Sequence, residues 1–315
     1  MTFPLGRASA LVAIGLVLSG CGGSSQSQAS LPLASSSVRR VGQNDKSSTG
    51  DLLYATGGCD GTCVLTYPGL KLVGMLPNNG ISICSDSQGN IFMPNATKVL
   101  EYAHGGTSPI ATLTLPDNAS SGCSIDPKTN NLAVVFDTQV AIFQNELGTP
   151  AVYDTNIDAR YCTYDKNGDL FVNGYGGNSG SEFALAELAS GTSTFTTISV
   201  SNSVGNPGQL QWDGNYLLYQ SLSKFGKLTQ LQVIGSTATI VATITPQGLK
   251  HHVSQSWLYD GRLVIPYNVR GQFVNVIGTW DYPNVKKPTK TIRKFDSYKK
   301  RDIDFLGVAV STQPK

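Results

Sequence analysis

The chain carries three histidines, four glutamates and three methionines in 315 residues, and only 14% of it is charged. So little histidine leaves few general bases or metal ligands, and so little glutamate leaves few carboxylates for acid–base work. Long apolar runs are missing as well. The run Ala10 to Leu18 is far too short to cross a bilayer, which takes about 20 apolar residues. There is no G-x-S-x-G elbow, no phosphate-cradling glycine loop and no haem C-x-x-C-H, so none of those three chemistries has its motif. The formal net charge of +2 is too small to name a partner. Amphipathic helical stretches are hard to find, whereas Thr, Ser, Val, Tyr and 34 Gly are plentiful. That balance predicts an all-β chain.

The start of the chain, "MTFPLGRASALVAIGLVLSGC", has one Arg, then the apolar run, then small residues. This is the form of an export signal over residues 1–20. The ending Leu18-Ser19-Gly20-Cys21 resembles the bacterial lipobox. The resemblance implies cleavage before Cys21 and acylation of its thiol and new amine, so that Cys21 anchors the chain to a membrane. An ordinary secretory signal followed by a Cys is the other reading. Gly22 in place of Asp after the acylated position implies the outer membrane or cell surface. Residues 21–49, rich in Ser, Gln and Gly, read as a flexible tether, and residues 50–315 as the folded domain.

That domain repeats a phrase. Six turn markers each precede a β-rich run: Gly50-Asp51 before "LLYAT", Gly89-Asn90 before "IFMPN", Asn130-Asn131 before "LAVVF", Gly168-Asp169 before "LFVNG", Gly214-Asn215 before "YLLYQ" and Gly261-Arg262 before "LVIPY". They recur roughly every 40 residues, the period of four-stranded propeller blades. Gly or Asn at each marker accepts positive φ between two strands. Asp86, Asp126, Asp165, Asp213 and Asp260 sit just before five of the markers, where a carboxylate caps its own turn. Blade one lacks an inner strand, and Asp304 to Ser311 is a lone β run at the other end. The expectation is therefore a six-bladed β-propeller of four-stranded blades, with the C-terminal strand closing blade one. A seventh blade hidden in the longer fifth and sixth units is the alternative.

The unit "SDSQGNIFMPNATKVLEYAHGGTSPIATLTLP" resembles repeats of the NHL-type, SMP-30-like and streptogramin-lyase-like propellers. The resemblance covers residues 50–311 and implies a fold; propellers host lyases, lactonases and plain binding modules alike.

Five cysteines remain besides Cys21. Cys59 and Cys63 flank the Asp60-Gly61 turn, so a disulfide pinching that hairpin is within reach. Cys123 and Cys162 lie at equivalent inner-strand positions, three residues before Asp126 and Asp165. They are either small apolar fillers or an inter-blade bridge to one another. Cys84 is displaced by one residue relative to Asp86, which turns it to the other face. No paired C-x-x-C knuckle predicts zinc.

His104 falls in an exposed turn between outer strands. His251 and His252 open the inner strand of the sixth blade and are candidate channel-mouth residues. Four glutamates (Glu101, Glu146, Glu182, Glu187) fall in outer-strand or loop sequence, so no catalytic set, metal site or cofactor is predicted. Lys286, Lys287, Lys290, Arg293, Lys294, Lys299, Lys300 and Arg301 make a basic stretch with one Asp. Lysine on an edge strand discourages pairing with other chains; contact with an anionic surface is the functional alternative. Trp212, Trp257, Trp280, Tyr216, Tyr259 and Tyr267 recur near the inner strands of the last two blades, as packing or as rings at a mouth.

The sequence thus predicts an exported, lipid-anchored monomer that scaffolds or binds a protein, peptide or glycan at the cell envelope, with no nucleic-acid partner. The alternative is a metal-dependent channel-mouth hydrolase or lyase, lactonase-like or streptogramin-lyase-like.

Overall fold

The computed structural model is all-β, and it describes residues 50–119, 122–176, 180, 182–201, 204–222, 226–249, 253–269, 274–293 and 305–315. The expected signal segment and tether (residues 1–49, with Cys21), and His251, His252, Lys294, Lys299, Lys300 and Arg301 lie outside the described residues.

The strands run in chain order. First come β1 (Leu52–Thr56), β2 (Thr62–Thr66), β3 (Leu72–Leu76), β4 (Cys84–Ser85), β5 (Ile91–Asn95), β6 (Lys98–Tyr102) and β7 (Ala111–Thr114). Next are β8 (Cys123–Ile125), β9 (Leu132–Phe136), β10 (Gln139–Phe143) and β11 (Ala151–Asp154). Then follow β12 (Asp158–Tyr164), β13 (Leu170–Gly176), β14 (Glu182–Leu188) and β15 (Thr196–Val200). The remainder are β16 (Gln209–Trp212), β17 (Leu217–Gln220), β18 (Leu228–Ile234), β19 (Thr237–Ile244), β20 (Trp257–Tyr259), β21 (Arg262–Val269), β22 (Val274–Asp281), β23 (Lys290–Ile292) and β24 (Gly307–Ser311).

They form a propeller-like ring of sheets. Four sheets have four strands, ordered β24-β1-β2-β3, β4-β5-β6-β7, β8-β9-β10-β11 and β20-β21-β22-β23. The fifth sheet has eight strands, ordered β12-β13-β14-β15-β19-β18-β17-β16. This corrects the expectation of six separate four-stranded sheets. The outer strands β15 and β19 pair in parallel at Ser199↔Thr237 and Val200↔Ala238. Their contact is tied by Ser199 N–H to Ser236 O at 2.8 Å and Ser201 N–H to Ala238 O at 3.0 Å. Two outer edges with open N–H and C=O groups satisfy one another where they meet. The extra length of the fifth and sixth sequence units goes into long strands: β19, β21 and β22 have eight residues each.

The turn markers explain the hairpins. The first residue of every one has positive φ: Gly50 at 107°, Gly89 at 81°, Asn130 at 56°, Gly168 at 82°, Gly214 at 102° and Gly261 at 66°. The preceding aspartates cap these turns. Asp86 Oδ1 accepts the N–H of Gln88 at 2.9 Å and of Asn90 at 2.7 Å. Asp165 Oδ1 accepts from Asn167 at 2.7 Å and Asp169 at 3.0 Å, and Asp213 Oδ1 from Asn215 and Tyr216. Asp126 accepts from Lys128 N–H at 2.9 Å and from the Thr129 hydroxyl. Asp260 departs from the pattern, being itself at a φ of 48°.

The C-terminal strand closes the ring. β24 pairs antiparallel with β1 through five residues, from Leu52↔Ser311 to Thr56↔Gly307. No covalent turn joins this pair, and Gln313 substitutes for one: Gly50 N–H donates to Gln313 Oε1 at 2.8 Å, and Gln313 N–H donates to Asp51 Oδ1 at 2.9 Å. His104 joins the closure. Its Nδ1 lies 2.7 Å from Ser311 Oγ and its Nε2 3.2 Å from Gly50 O. The half-buried ring thus replaces the expected exposed turn position, because the turn after β6 reaches over the end of β24.

Alternation along the strands puts apolar residues on both faces of each sheet, and stacking around the ring buries both. Among the described residues, six apolar clusters lie between successive groups of strands. One joins β9 and β10 to β12–β14, through Val135, Val140, Val172 and Ala186. Another joins β1 and β24 to β21 and β22, through Leu53, Val308, Val264 and Ile277. The remaining four lie between the β4–β7 and β8–β11 sheets, β16–β19 and β20–β23, β1–β3 and β4–β7, and β12–β15 and β16–β19. Trp257, half-buried on the inner strand β20, packs against three of the clusters at once. It lies where those interfaces meet.

Candidate binding site at the ring axis

The inner strands β4, β8, β12, β16 and β20 surround a cavity of about 340 Å³. Its wall includes Ser85 on β4, Ser124 on β8, Thr163 on β12, Gln211 and Trp212 on β16, and Trp257 on β20. Three of these side chains, Ser85, Ser124 and Gln211, bind across seams between neighbouring inner strands. Ser85 Oγ donates to Val310 O at 2.8 Å, and Ser124 Oγ accepts from Tyr164 N–H at 3.1 Å. Gln211 spans the seam from β16 to β20, donating to Ser256 O at 3.0 Å and accepting Leu258 N–H at 2.8 Å. These bonds fasten inner strands to one another along the wall.

Two groups in the wall are different. Gln209 is 4% exposed, and its Nε2 donates to Leu210 O at 3.1 Å, but its buried Oε1 has no partner. The indole Nε1 of Trp212 is also buried and also unpartnered. A buried polar atom left without a hydrogen bond costs on the order of 1–3 kcal/mol, and each of these two atoms is closed off from the cavity that its residue borders. Among the described residues, the charged ones in the wall are Asp165 and Lys166. Asp165 is committed to its turn: besides the two N–H groups on Oδ1, its Oδ2 accepts from Asn167 Nδ2 at 3.0 Å.

Two cysteines, Cys123 and Cys162, border this cavity. Cys59 and Cys63 form a disulfide across the β1–β2 turn, with Cα atoms 5.4 Å apart. The second disulfide joins Cys84 to Cys123, Cα atoms 5.9 Å apart, and Cys162 is a buried free thiol. This overturns the expected Cys123–Cys162 bridge, and the register gives the reason. Cys123 opposes Val134 and Cys162 opposes Val172, equivalent positions that face the same way around the ring. Cys162 therefore packs among Ala133 and Val135 of the preceding sheet, turned away from any thiol that could meet it. Cys84 opposes Phe92, the register held by Ser124 opposite Ala133 one sheet later. Its one-residue displacement points it forward, at the backward-facing Cys123, and both lie in one cluster. Burial pushes the Cys162 thiol well above its ordinary value, which keeps it protonated and unreactive.

Other expected residues sit elsewhere. His251 and His252 lie outside the described residues. Among the described residues no three His, Cys, Asp or Glu side chains converge as metal ligands, and no helix is long and apolar enough to cross a membrane. Lys286, Lys287, Lys290 and Arg293 are exposed on and around the outermost strand β23. Of the aromatic residues, Trp280 is fully buried and donates to Gln247 O at 3.2 Å, whereas Trp212 and Trp257 border the cavity. Gln209 was not singled out from sequence, and a Gln beside a Gly-Asn-Pro-Gly loop carries no signal of its own. A larger groove of about 610 Å³ lies on the outside, between Thr112–Pro116 and Gly148–Val152, far from the polar seams.

No protein-family model matches the chain, and no curated protein matches it. Solved structures do. A protein of unknown function from Bacteroides caccae aligns with a TM-score of 0.61 at 15% identity, over 84% of this chain and 99% of that one. The structure of U3-55K aligns with a TM-score of 0.51 at 9% identity, over 76% of this chain and 80% of that one. Neither likeness reaches the NHL-type, SMP-30-like or streptogramin-lyase-like families by name. At these identities the likeness is one of fold.

Proposed function

We infer that this protein is an exported, lipid-anchored binding module that holds its ligand in the axial cavity at the cell envelope. In this reading the ring has six blades, the eight-stranded sheet counting as two blades, β12–β15 and β16–β19, that share an outer edge. The support is that each of these two halves is an antiparallel quartet with an apolar cluster on either side. Cys21 is the anchor, on the lipobox resemblance, and residues 21–49 give the ring its reach from the membrane.

The observation that carries the binding role is the cavity, where five inner strands converge around a hydrogen-bonded wall. Pockets of this kind, mostly apolar with a few placed polar groups, are where small ligands and chain segments bind. The basic residues near β23 fit a ring facing anionic head groups, and they also guard an outer edge.

Two measurements test the reading. Metabolic labelling with an alkyne fatty acid should mark the wild-type chain and leave Cys21→Ser unlabelled and released from membranes. A photo-crosslinking side chain placed at Lys166, on the cavity wall, should give a discrete adduct in intact cells by mass spectrometry. The same group at Lys71, exposed beside β3, should not. Equal labelling at the two positions, or none at Lys166, overturns the axial site.

A further inference from the structure

We propose that the axial cavity takes a small, uncharged, apolar ligand, a hydrocarbon ring or acyl chain, held by contact with Ile125, Trp212, Trp257 and Leu258; this rests on the reading of the cavity as a binding site. The wall divides by accessibility. Thr163, Tyr164, Asp165, Gln209 and Leu210 are buried, so a ligand meets chiefly the residues that keep open surface. Of those, Ile125, Pro127, Trp212, Trp257 and Leu258 are apolar. Ser85, Ser124 and Gln211 are polar, and their hydrogen bonds already run to Val310, Tyr164, Ser256 and Leu258.

Trp212 carries the argument furthest. It is half-buried on β16, and among the described residues it packs in none of the six apolar clusters. Its indole nitrogen is closed off, so the surface its side chain leaves open is carbon. Trp257 and Leu258 follow on the next inner strand, β20, which the two Gln211 bonds tie to β16. Water against such surface is displaced favourably by a hydrocarbon that fits. Charge points the same way. Asp165 is spent on turn N–H groups and Asn167, and Lys166 is exposed, where an ammonium keeps its water. An ionic ligand would have to shed its own water against carbon. The cavity of about 340 Å³ has the room of roughly eleven waters, which suits a ligand of about that many non-hydrogen atoms.

The test is titration calorimetry on the full chain in detergent micelles, corrected for partitioning into empty micelles, at low and high salt. Naphthalenemethanol and octanol are the neutral ring and chain probes. Naphthaleneacetate and naphthylmethylamine carry the two charges, and cellobiose is neutral but polar. Trp212→Ala removes the open indole, Leu258→Asn makes the neighbouring strand polar, and Trp212→Phe keeps a ring. A melting curve for each variant shows that it is folded. The expected result is one neutral apolar probe bound per chain, insensitive to salt, with a negative heat-capacity change. Trp212→Ala and Leu258→Asn should each weaken it about tenfold, the loss of roughly two buried methylene groups, and Trp212→Phe less. A preference between naphthalenemethanol and octanol tells a ring from an acyl chain. Binding of cellobiose or a charged probe alone, weakened by the same variants, overturns the apolar class and leaves the axial site standing. Apolar binding that all three variants leave unchanged overturns the assignment to this wall. No binding in any class alongside an adduct at Lys166 overturns the apolar class, and no binding with no adduct overturns both readings.

Discussion

The side-chain amide of Gln255 takes both backbone groups of Ile83, 172 residues away. It accepts the Ile83 N–H at 3.2 Å and donates to the Ile83 carbonyl at 2.8 Å. Its own backbone meanwhile bridges in parallel to Gly307 at the start of β24, with Val308 N–H donating to Gln255 O at 3.2 Å. One residue thus ties the last sheet, the closing strand and the approach to β4 together. Gly307 permits this, because a Cβ there would collide with Gln255 Oε1.

Gln255→Leu keeps the bulk but strands a buried N–H and a buried carbonyl at Ile83. Two such groups cost about 2–4 kcal/mol, or roughly 5–10 °C in melting temperature for a domain of this size. Gly307→Ala should destabilise by a similar amount through the collision, and the double variant by less than the sum. Thermal and urea unfolding read both. Additive losses would show that the two residues do not act together.

Peptide mapping under non-reducing conditions should give a Cys84–Cys123 cross-linked pair, with Cys162 alkylated only after unfolding. Cys84→Ala should lower stability by about 2–4 kcal/mol, the range for closing a loop of this order. Cys162→Ala should leave the disulfides intact. A Cys123–Cys162 peptide would contradict the register.

Acid should loosen the seam between β16–β19 and β20–β23. Burial alone would raise the Asp213 carboxyl, but hydrogen bonds from Tyr282, the N–H groups of Asn215 and Tyr216, and Gln230 outweigh it, and the group lies below its ordinary value. A depressed carboxyl contributes stability that is present above its unfolded value, about 3.9, and lost as pH falls through the folded one. Tyr282→Phe removes the largest of these bonds, the hydroxyl donating to Asp213 Oδ2 at 2.6 Å. The slope of unfolding free energy against pH below about 4 should shrink in that variant; an unchanged slope would remove Asp213 from the acid response.

Alkali acts on the phenols. Burial pushes Tyr54, Tyr67 and Tyr219 each up to about 12. The folded state prefers their neutral forms, so this stability is complete below the ordinary tyrosine value, about 10, and is lost as pH rises toward 12. Ultraviolet titration should show these phenols ionising together with unfolding. Ionisation near pH 10 with the fold intact would be the contrary result.

Deletion of residues 306–315 removes β24 and leaves β1 with an open edge of five residues. Such an edge recruits other chains. The truncated protein should sediment as aggregates where the full chain sediments as a single species; a monomeric, cooperatively melting product would mean that β24 is dispensable.

Much of this architecture was legible in local sequence. Gly89, Asn130, Gly168, Gly214 and Gly261 had to sit in turns because few other residues tolerate positive φ, and the aspartates before four of them cap those turns with their own carboxylates. The solitary run at Gly307–Ser311 had to find a partner because a lone strand cannot satisfy its backbone. The displacement of Cys84 is legible too, and its partner follows from packing: a bridge between neighbouring sheets needs side chains on facing sides, which equivalent positions do not supply.

What the sequence by itself determined is therefore the all-β character, the repeat and the closure by the last strand, because turns, alternation and unpaired edges are local or pairwise demands. The tertiary structure decided which outer edges meet, at β15 and β19, and that the Trp257 indole packs against three interfaces. It also decided that Gln209 and Trp212 keep unmatched polar atoms beside one cavity. Those outcomes depend on distances between residues far apart in the chain, which packing around the ring fixes and no local pattern encodes.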